Sequence, residues 1–325
     1  MNSFQYGKPT SLEQVTSFLA RENANVFVMA GGTDLLGEIK EGLIEPDLVI
    51  DLKAVPGLAY IKKEKDAVAI GALTAVADLA EDPMIRQDYR VLVEAAKVIA
   101  SPQLRNMGTV GGNLCQRPRC WYYRDARVVC SKKGGSKCYA EKGRNKYHAI
   151  FAGGICYAVY PSDLAPAFIA LEAIAVIASP QGERTIPLAE FYAPPIVNVR
   201  KENVLGKQEV VKEIRIPLAK KNEKSTYQKF IERGSWDFAV VSAAVKAALS
   251  GATIEDIRIV CGGVAPIPWR LKKVEAALKG KKATESEARK AAKIALAEAA
   301  PLAENGYKIE LLETMIARAV VALGK

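Results

Sequence analysis

A mixed α+β protein of more than one domain is the fold that the sequence predicts, on three observations. The 325 residues exceed the size of an ordinary single domain. Short apolar runs ending in glycine or proline alternate with amphipathic stretches of helical period. Roughly the last 60 residues turn rich in Ala, Lys and Glu, which is helix composition and not low complexity. Hydrophobic residues make up 50% and charged residues 25%, the balance of a folded chain. A chain of this size buries about three quarters of its unfolded surface, so it needs no disulfide staples. No apolar run approaches the roughly 18 residues of a membrane-spanning helix. Met1 to Thr10 lacks a basic run followed by an apolar core, so a cytoplasmic location is expected unless an exported partner carries the chain.

In chain order, Thr10 or Ser11 caps an amphipathic helix whose Leu12, Val15, Phe18 and Leu19 share one face. Val26 to Ala30 reads as a buried strand running into Gly31-Gly32-Thr33-Asp34, and Leu48 to Leu52 as a second strand ending near Pro56-Gly57. Residues 58–76 read as meandering strands, with Ala67 to Ile70 entering Gly71. Helices are expected from Asp78 onward and over Tyr89 to Ala100, followed by a second glycine turn, Thr109-Val110-Gly111-Gly112-Asn113-Leu114. Residues 115–156 show almost no apolar periodicity, and a loop that long in a compact domain is functional or disordered. Beyond it the pattern predicts a strand over Ala158 to Tyr160, a helix over Ala165 to Glu172 and a strand over Ala173 to Ala178 before Pro180-Gln181-Gly182. A strand over Val210 to Ile216 ends at Pro217, and Lys220 to Lys224 reads as a hinge. The remainder predicts a strand over Tyr227 to Ile231, a helix over Ala239 to Ser250, a strand over Ile257 to Cys261, and helices to the end. The expected divisions fall near 57 and 222.

Charge and sulfur concentrate together. Net charge is +10, from 46 Lys and Arg against 36 Asp and Glu, which suits nucleic acid, an acidic partner or a phosphate-bearing ligand. Ten of those cations lie between Arg117 and Lys146, and five of the six cysteines between Cys115 and Cys156. In a reducing compartment that clustering favours metal over disulfides. Cys120, Cys130, Cys138 and Cys156 lack the Cys-x-x-Cys pairs of zinc ribbons. Their spacing leaves buried structural thiols, zinc and an iron–sulfur cluster all open.

The two glycine turns share a design, in which paired glycines admit a close ligand and successive N–H groups can converge on an anion. Thr33, Thr109 and Asn113 add side-chain donors. Neither turn is a Gly-x-Gly-x-x-Gly fingerprint or a Walker lysine loop, which excludes Rossmann and P-loop readings. His148 is the only histidine, so mechanisms needing two are excluded, and no Gly-x-Ser-x-Gly elbow is present. Any catalysis would therefore be a cofactor's.

Three motifs carry a resemblance: Ala30-Gly31-Gly32-Thr33-Asp34-Leu35-Leu36, Thr109-Val110-Gly111-Gly112-Asn113-Leu114 and Pro161-Ser162-Asp163-Leu164-Ala165-Pro166. With them the chain resembles, over nearly its whole length, the FAD-binding subunit of the xanthine dehydrogenase family of molybdenum hydroxylases. The run from Asn113 to Tyr123 looks like the flavin subunits of 4-hydroxybenzoyl-CoA reductase and of a bacterial aldehyde oxidoreductase, whose loop carries an additional [4Fe–4S] cluster. The resemblance implies an α+β fold with a two-lobed FAD-binding domain (residues 1–57 and 58–222, the second lobe holding the loop 115–156). An α+β C-terminal domain like that of carbon monoxide dehydrogenase flavoproteins follows over 223–325. Ala30, Gly31, Gly32, Thr33, Asp34 and Leu35 would hold the FAD pyrophosphate, and Thr109, Gly111, Gly112 and Asn113 the phosphate and adenosine side. Asp163 would contact the ribose at the adenine end, Val211 a ring of the cofactor, and Lys229 the isoalloxazine. Cys120, Cys130, Cys138 and Cys156 would bind the cluster, with Cys115 placed near FAD and standing as the rival ligand. Surrounding cations would partly offset the cluster's negative charge.

The implied function is electron transfer among FAD, the cluster, the [2Fe–2S] centres of a small subunit and an external carrier. A molybdopterin-binding large subunit would act on the substrate, in a heterotrimer or a dimer of heterotrimers. Two rivals use part of the same pattern. A stand-alone FAD oxidoreductase would need a substrate-facing base that the sequence does not offer. A basic zinc protein binding nucleic acid would leave both glycine turns and Asp163 without a task.

Overall fold

The computed structural model of the protein describes residues 2–324. Strands are numbered in chain order. β1 (Gln5–Gly7), β2 (Val26–Met29) and β3 (Leu48–Asp51) form a parallel sheet in the order β1-β3-β2. The central strand β3 is buried along its whole length, as parallel strands covered on both faces usually are. Helix Leu12–Leu19 closes this lobe with Val15 and Leu19, and Ser11 caps it by accepting the Gln14 N–H.

A second, antiparallel sheet runs β4-β5-β8-β6-β7, from β4 (Ile61–Lys63), β5 (Ala67–Gly71), β6 (Ile174–Ser179), β7 (Gly182–Pro187) and β8 (Val210–Pro217). Its core joins Ile70, Ile177 and Ile214 to helices Arg90–Lys97 and Leu164–Ala170, the latter buried at every position. A third, antiparallel sheet runs β12-β11-β10-β9, from β9 (Glu223–Phe230), β10 (Val241–Ser250), β11 (Thr253–Gly262) and β12 (Trp269–Arg270). Helices Lys272–Leu278, Glu285–Leu296 and Lys308–Ala322 complete it. Among the described residues no helix is long and apolar enough to cross a membrane.

Several expectations are corrected. Residues 241–250 form a strand, not part of a helix, although Ala is the strongest helix former. β10 lies inside its sheet, and the small side chains of Ala243, Ala244 and Ala247 let helices Lys308–Ala322 and Leu164–Ala170 pack closely on it. Tertiary packing outweighs propensity there. Ala158 to Tyr160 is irregular, its backbone tied to the connection between β11 and β12 by the Tyr160 N–H donating to the Ala265 carbonyl at 3.0 Å. Three short helices, Leu35–Lys40, Pro102–Met107 and Val110–Leu114, escaped sequence reading; each is too short to show a period. The second glycine turn is thus the body of a helix whose N-cap is Thr109.

Candidate functional site

β2 delivers the chain into Ala30-Gly31-Gly32 at the end of the first sheet. Gly31 is required by close approach: a Cβ there would stand 1.9 Å from the Met107 carbonyl oxygen. Gly32 has φ +73°, a left-handed conformation in which glycine carries no penalty. Asp34 then opens helix Leu35–Lys40. Among the described residues, the backbone N–H groups of Gly31, Gly32, Thr33, Asp34 and Leu35 donate to no protein acceptor. Successive free N–H groups at a strand end form an anion cradle.

The second turn is built differently. Val110 N–H donates to Thr74 O (2.9 Å), Gly111 to Ala72 O (2.8 Å), Gly112 to Thr109 Oγ1 (3.1 Å) and Asn113 to Thr109 O (2.8 Å). Its backbone donors are consumed, so it contributes a smooth glycine surface and the side chains of Thr109 and Asn113. Asn113 Oδ1 accepts from Ser162 Oγ at 2.6 Å, while its NH2 group has no protein partner among the described residues.

Both turns line one cleft of about 720 Å³, within the range of small-molecule sites. Ala30 to Leu35, Thr109, Gly111, Gly112, Asn113, Asp163 and Val211 all meet there. Asp163 accepts from Tyr227 Oη at 2.6 Å and from Lys229 Nζ at 2.8 Å. Lys229 itself stands behind the wall, its ammonium also held by the carbonyls of Val98 and Asp237, both at 3.0 Å. The wall further contains Arg117, Arg119, Arg124, Trp236 and Phe238, which sequence reading did not single out as site residues. Their clustering in or near the basic loop was the only hint of the arginines' role.

The basic loop is sewn onto the cradle. Asp34 accepts the Arg117 N–H (2.7 Å) and pairs with Arg124 (2.7 Å) and Arg119. Burial opposes its ionisation, but those two guanidinium groups and that N–H prevail and hold the carboxyl below the ordinary range. Glu38 is pushed up by burial and is bonded by Tyr123 Oη. Glu202, buried, pairs with Arg117 (2.9 Å) and Lys132 (2.7 Å). The cations expected to surround the cluster are therefore committed in large part to carboxylates. Glu202→Gln is expected to cost about 3 kcal/mol by leaving buried Lys132 without a counter-charge and Arg117 with only the more distant Glu38, read as a lower urea midpoint.

Cys115 lies in the cleft wall, its thiol pushed up to about 12 by burial. The other four loop cysteines lie outside the cleft lining, and all six cysteines are free thiols. Burial raises Cys120 to about 11, with Cys138 and Cys130 near enough to act on its charge. The neighbouring Cys156 thiol lowers Cys138 to about 6, favouring its thiolate, while Cys156 is pushed up in turn. Cys120 Sγ is 3.2 Å from Nε2 of His148, whose Nδ1 is buried without a partner. Among the described residues, no three Cys, His, Asp or Glu side chains are gathered tightly enough to hold a metal ion.

A second mooring fixes the far end of the loop. Asn145 N–H donates to Glu304 (2.7 Å), and Asn305 Nδ2 donates to the His148 and Ala149 carbonyls. Lys308, fully buried, donates from Nζ to the carbonyls of Tyr147 (2.8 Å), His148 (3.0 Å) and Gly263 (2.8 Å).

The family described as the FAD binding domain in molybdopterin dehydrogenase matches residues 2–219, and the CO dehydrogenase flavoprotein C-terminal domain matches residues 225–323. The chain belongs to this family of FAD-binding subunits. It is 34% identical to the aldehyde oxidoreductase FAD-binding subunit PaoB of Escherichia coli (strain K12), over 98% of this chain and 97% of that one. It is 29% identical to the carbon monoxide dehydrogenase medium chain of Hydrogenophaga pseudoflava, over 98% and 96%. A solved structure of carbon monoxide dehydrogenase from Hydrogenophaga pseudoflava, lacking the Mo-pyranopterin moiety, superposes with a TM-score of 0.78 at 29% identity, covering 99% of this chain and 97% of that one. The α+β fold, with an FAD-binding region followed by a C-terminal domain, is that of these medium chains. The chain is an FAD-binding subunit of the molybdenum hydroxylase type of oxidoreductase, as its relatives PaoB and the carbon monoxide dehydrogenase medium chain are.

Proposed function

We propose that this subunit holds FAD in the cleft and passes electrons between it, the [2Fe–2S] centres of a small subunit, a [4Fe–4S] cluster in its own loop and an external carrier. The observation that carries the FAD part is the run of unengaged N–H groups from Gly31 to Leu35, in the same cleft as the closely packed second turn. A diphosphate fits such a cradle without a dedicated lysine. Bound FAD would supply the junction between two-electron and one-electron chemistry. The residues of this chain bind and orient. Asp163, held by Tyr227 and Lys229, offers a fixed carboxylate edge to a ribose, and Val211 an apolar face to a ring.

The carboxylates of the cleft support electron transfer over substrate acid–base work. Asp34, Glu41, Glu202 and Glu209 are paired with arginine or lysine, and Asp163 with Lys229. Glu38 is bonded by Tyr123, and Asp237 accepts three backbone N–H groups. None is left as a spare base.

We assign the [4Fe–4S] cluster to Cys120, Cys130, Cys138 and Cys156. Support comes from the all-sulfur donor set, the nearness of Cys138 to Cys156 and of both Cys130 and Cys138 to Cys120, and the placing of Cys115 in the cleft instead. The thiols would have to turn toward a common centre. We further propose divisions near 57 and 222, since each sheet falls within one of the three segments. The molybdopterin-binding large subunit and [2Fe–2S] small subunit would complete a heterotrimer or its dimer, in the cytoplasm unless exported with a partner.

The test is cofactor content after anaerobic isolation. One FAD and about four irons with matching sulfide per chain are expected. Cys138→Ser should lose the iron and keep the FAD; unchanged iron would remove the ligand assignment, and absent flavin the cleft assignment.

A further inference from the structure

We propose that Arg119 is the residue that retains FAD, closing the rim of the cleft by joining the cradle to the C-terminal region. The proposal rests on the reading of the cleft as the FAD site. Arg119 is held from two sides. Its Nη1 pairs with Asp34, a residue of the N–H cradle, and its guanidinium lies 5.3 Å from the centre of the Phe238 ring. Asp34 comes from the first lobe and Phe238 from the turn between β9 and β10, so one side chain spans cleft walls supplied by distant parts of the chain. Asp34, Arg119, Trp236 and Phe238 all line the cleft, and Trp236 and Phe238 are exposed, which sets them where the cleft meets solvent.

The turn carrying Phe238 is held in an unusual shape. Trp236 has φ +50°, and its N–H donates to the carbonyl of Ala100, itself at φ +45° (3.2 Å). Left-handed backbone at two non-glycine residues persists only where surrounding bonds fix it. Here the Asp237 carboxylate accepts the N–H groups of Glu232 (3.2 Å), Arg233 (3.3 Å) and Phe238 (3.0 Å), and Lys229 Nζ binds the Asp237 carbonyl. The outcome is an aromatic ring presented to Arg119 at a fixed place. A planar guanidinium suits this post because it can pair with a carboxylate and lie against a ring together. A dinucleotide entering or leaving must displace it.

The experiment measures FAD release from the intact holo-subunit, by recovery of flavin fluorescence after dilution. Arg119→Ala and Phe238→Ala should each speed release, about five- to tenfold for a contact of this kind. Because the contact is shared, the double variant should release no faster than Arg119→Ala alone. Phe238→Leu keeps apolar bulk at the turn and should still speed release, with an unchanged urea midpoint. Release within twofold of wild type in both single variants, a double variant equal to the product of the singles, or wild-type release by Phe238→Leu would each overturn the proposal. A wild-type subunit isolated without any FAD would overturn the cleft reading itself, and Arg119's role with it.

Discussion

Gly31→Ala is expected to abolish FAD retention while the chain stays folded. The added Cβ would stand 1.9 Å from the Met107 carbonyl oxygen, 2.8 Å from its carbon and 3.1 Å from Gly108 Cα. All three are backbone atoms, so no side chain can swing aside. Relief requires the first turn to move away from the end of helix Pro102–Met107, which leads into the second. That movement misplaces the N–H groups of Gly32, Thr33 and Asp34 relative to Thr109 and Asn113. Overpacking of this kind costs on the order of 1–3 kcal/mol. Loss of a pre-formed anion cradle should weaken FAD by about 100-fold or more, roughly 2.7 kcal/mol. Flavin titration of the apo-subunit reads it directly. Gly306→Ala is the control, because its Cβ would meet nothing within 4 Å, and it should bind as wild type. Equal affinity in the two variants would mean that the cradle does not bind the nucleotide.

Lys308→Met should give the largest loss of stability among the substitutions considered. It removes a buried ammonium that satisfies three backbone carbonyls, of which only that of His148 has a second side-chain donor, from Asn305. Leaving buried acceptors unpaired should cost about 4 kcal/mol, seen as a lower urea midpoint at constant slope. Burial alone draws the Lys308 ammonium down to about 7. In the unfolded chain it would hold its proton to roughly 10.4. Between those values the unfolded chain binds more protons, so this group makes folding more favourable as pH rises from about 7 to 10. The Met variant should lack that increment. An unchanged midpoint, or an unchanged pH slope, would remove Lys308 from its role as an anchor.

Much of the site was legible because its chemistry is local. Ala30 to Leu35, the turn from Thr109 to Asn113 and the run around Asp163 are short contiguous motifs, and the structure brings Ala30 to Leu35, Thr109, Gly111, Gly112, Asn113 and Asp163 to one cleft. What was not legible depends on long-range pairing. Arg124 and Asp34 lie 90 positions apart, and Lys308 and Tyr147 161 apart, so no spacing rule links them. The free or consumed state of backbone donors is equally invisible: the glycine pairs read alike, yet one offers its N–H groups and the other spends them on Thr74, Ala72 and Thr109. The Ala-rich run in β10 misled for a third reason, since alanine serves both a helix and a strand over which helices must pass closely.

The double mooring of the cysteine loop sets an order of events during biosynthesis. Its near end ties to Asp34, made before the loop, whereas its far end ties to Glu304, Asn305 and Lys308, made about 160 residues after it. At about 5–20 residues per second, the loop waits several seconds or more between synthesis and fixation, its sulfurs still open to solvent. A polypeptide truncated before Glu304 should therefore fail to fix the far end of its cysteine loop even with its nucleotide cradle complete.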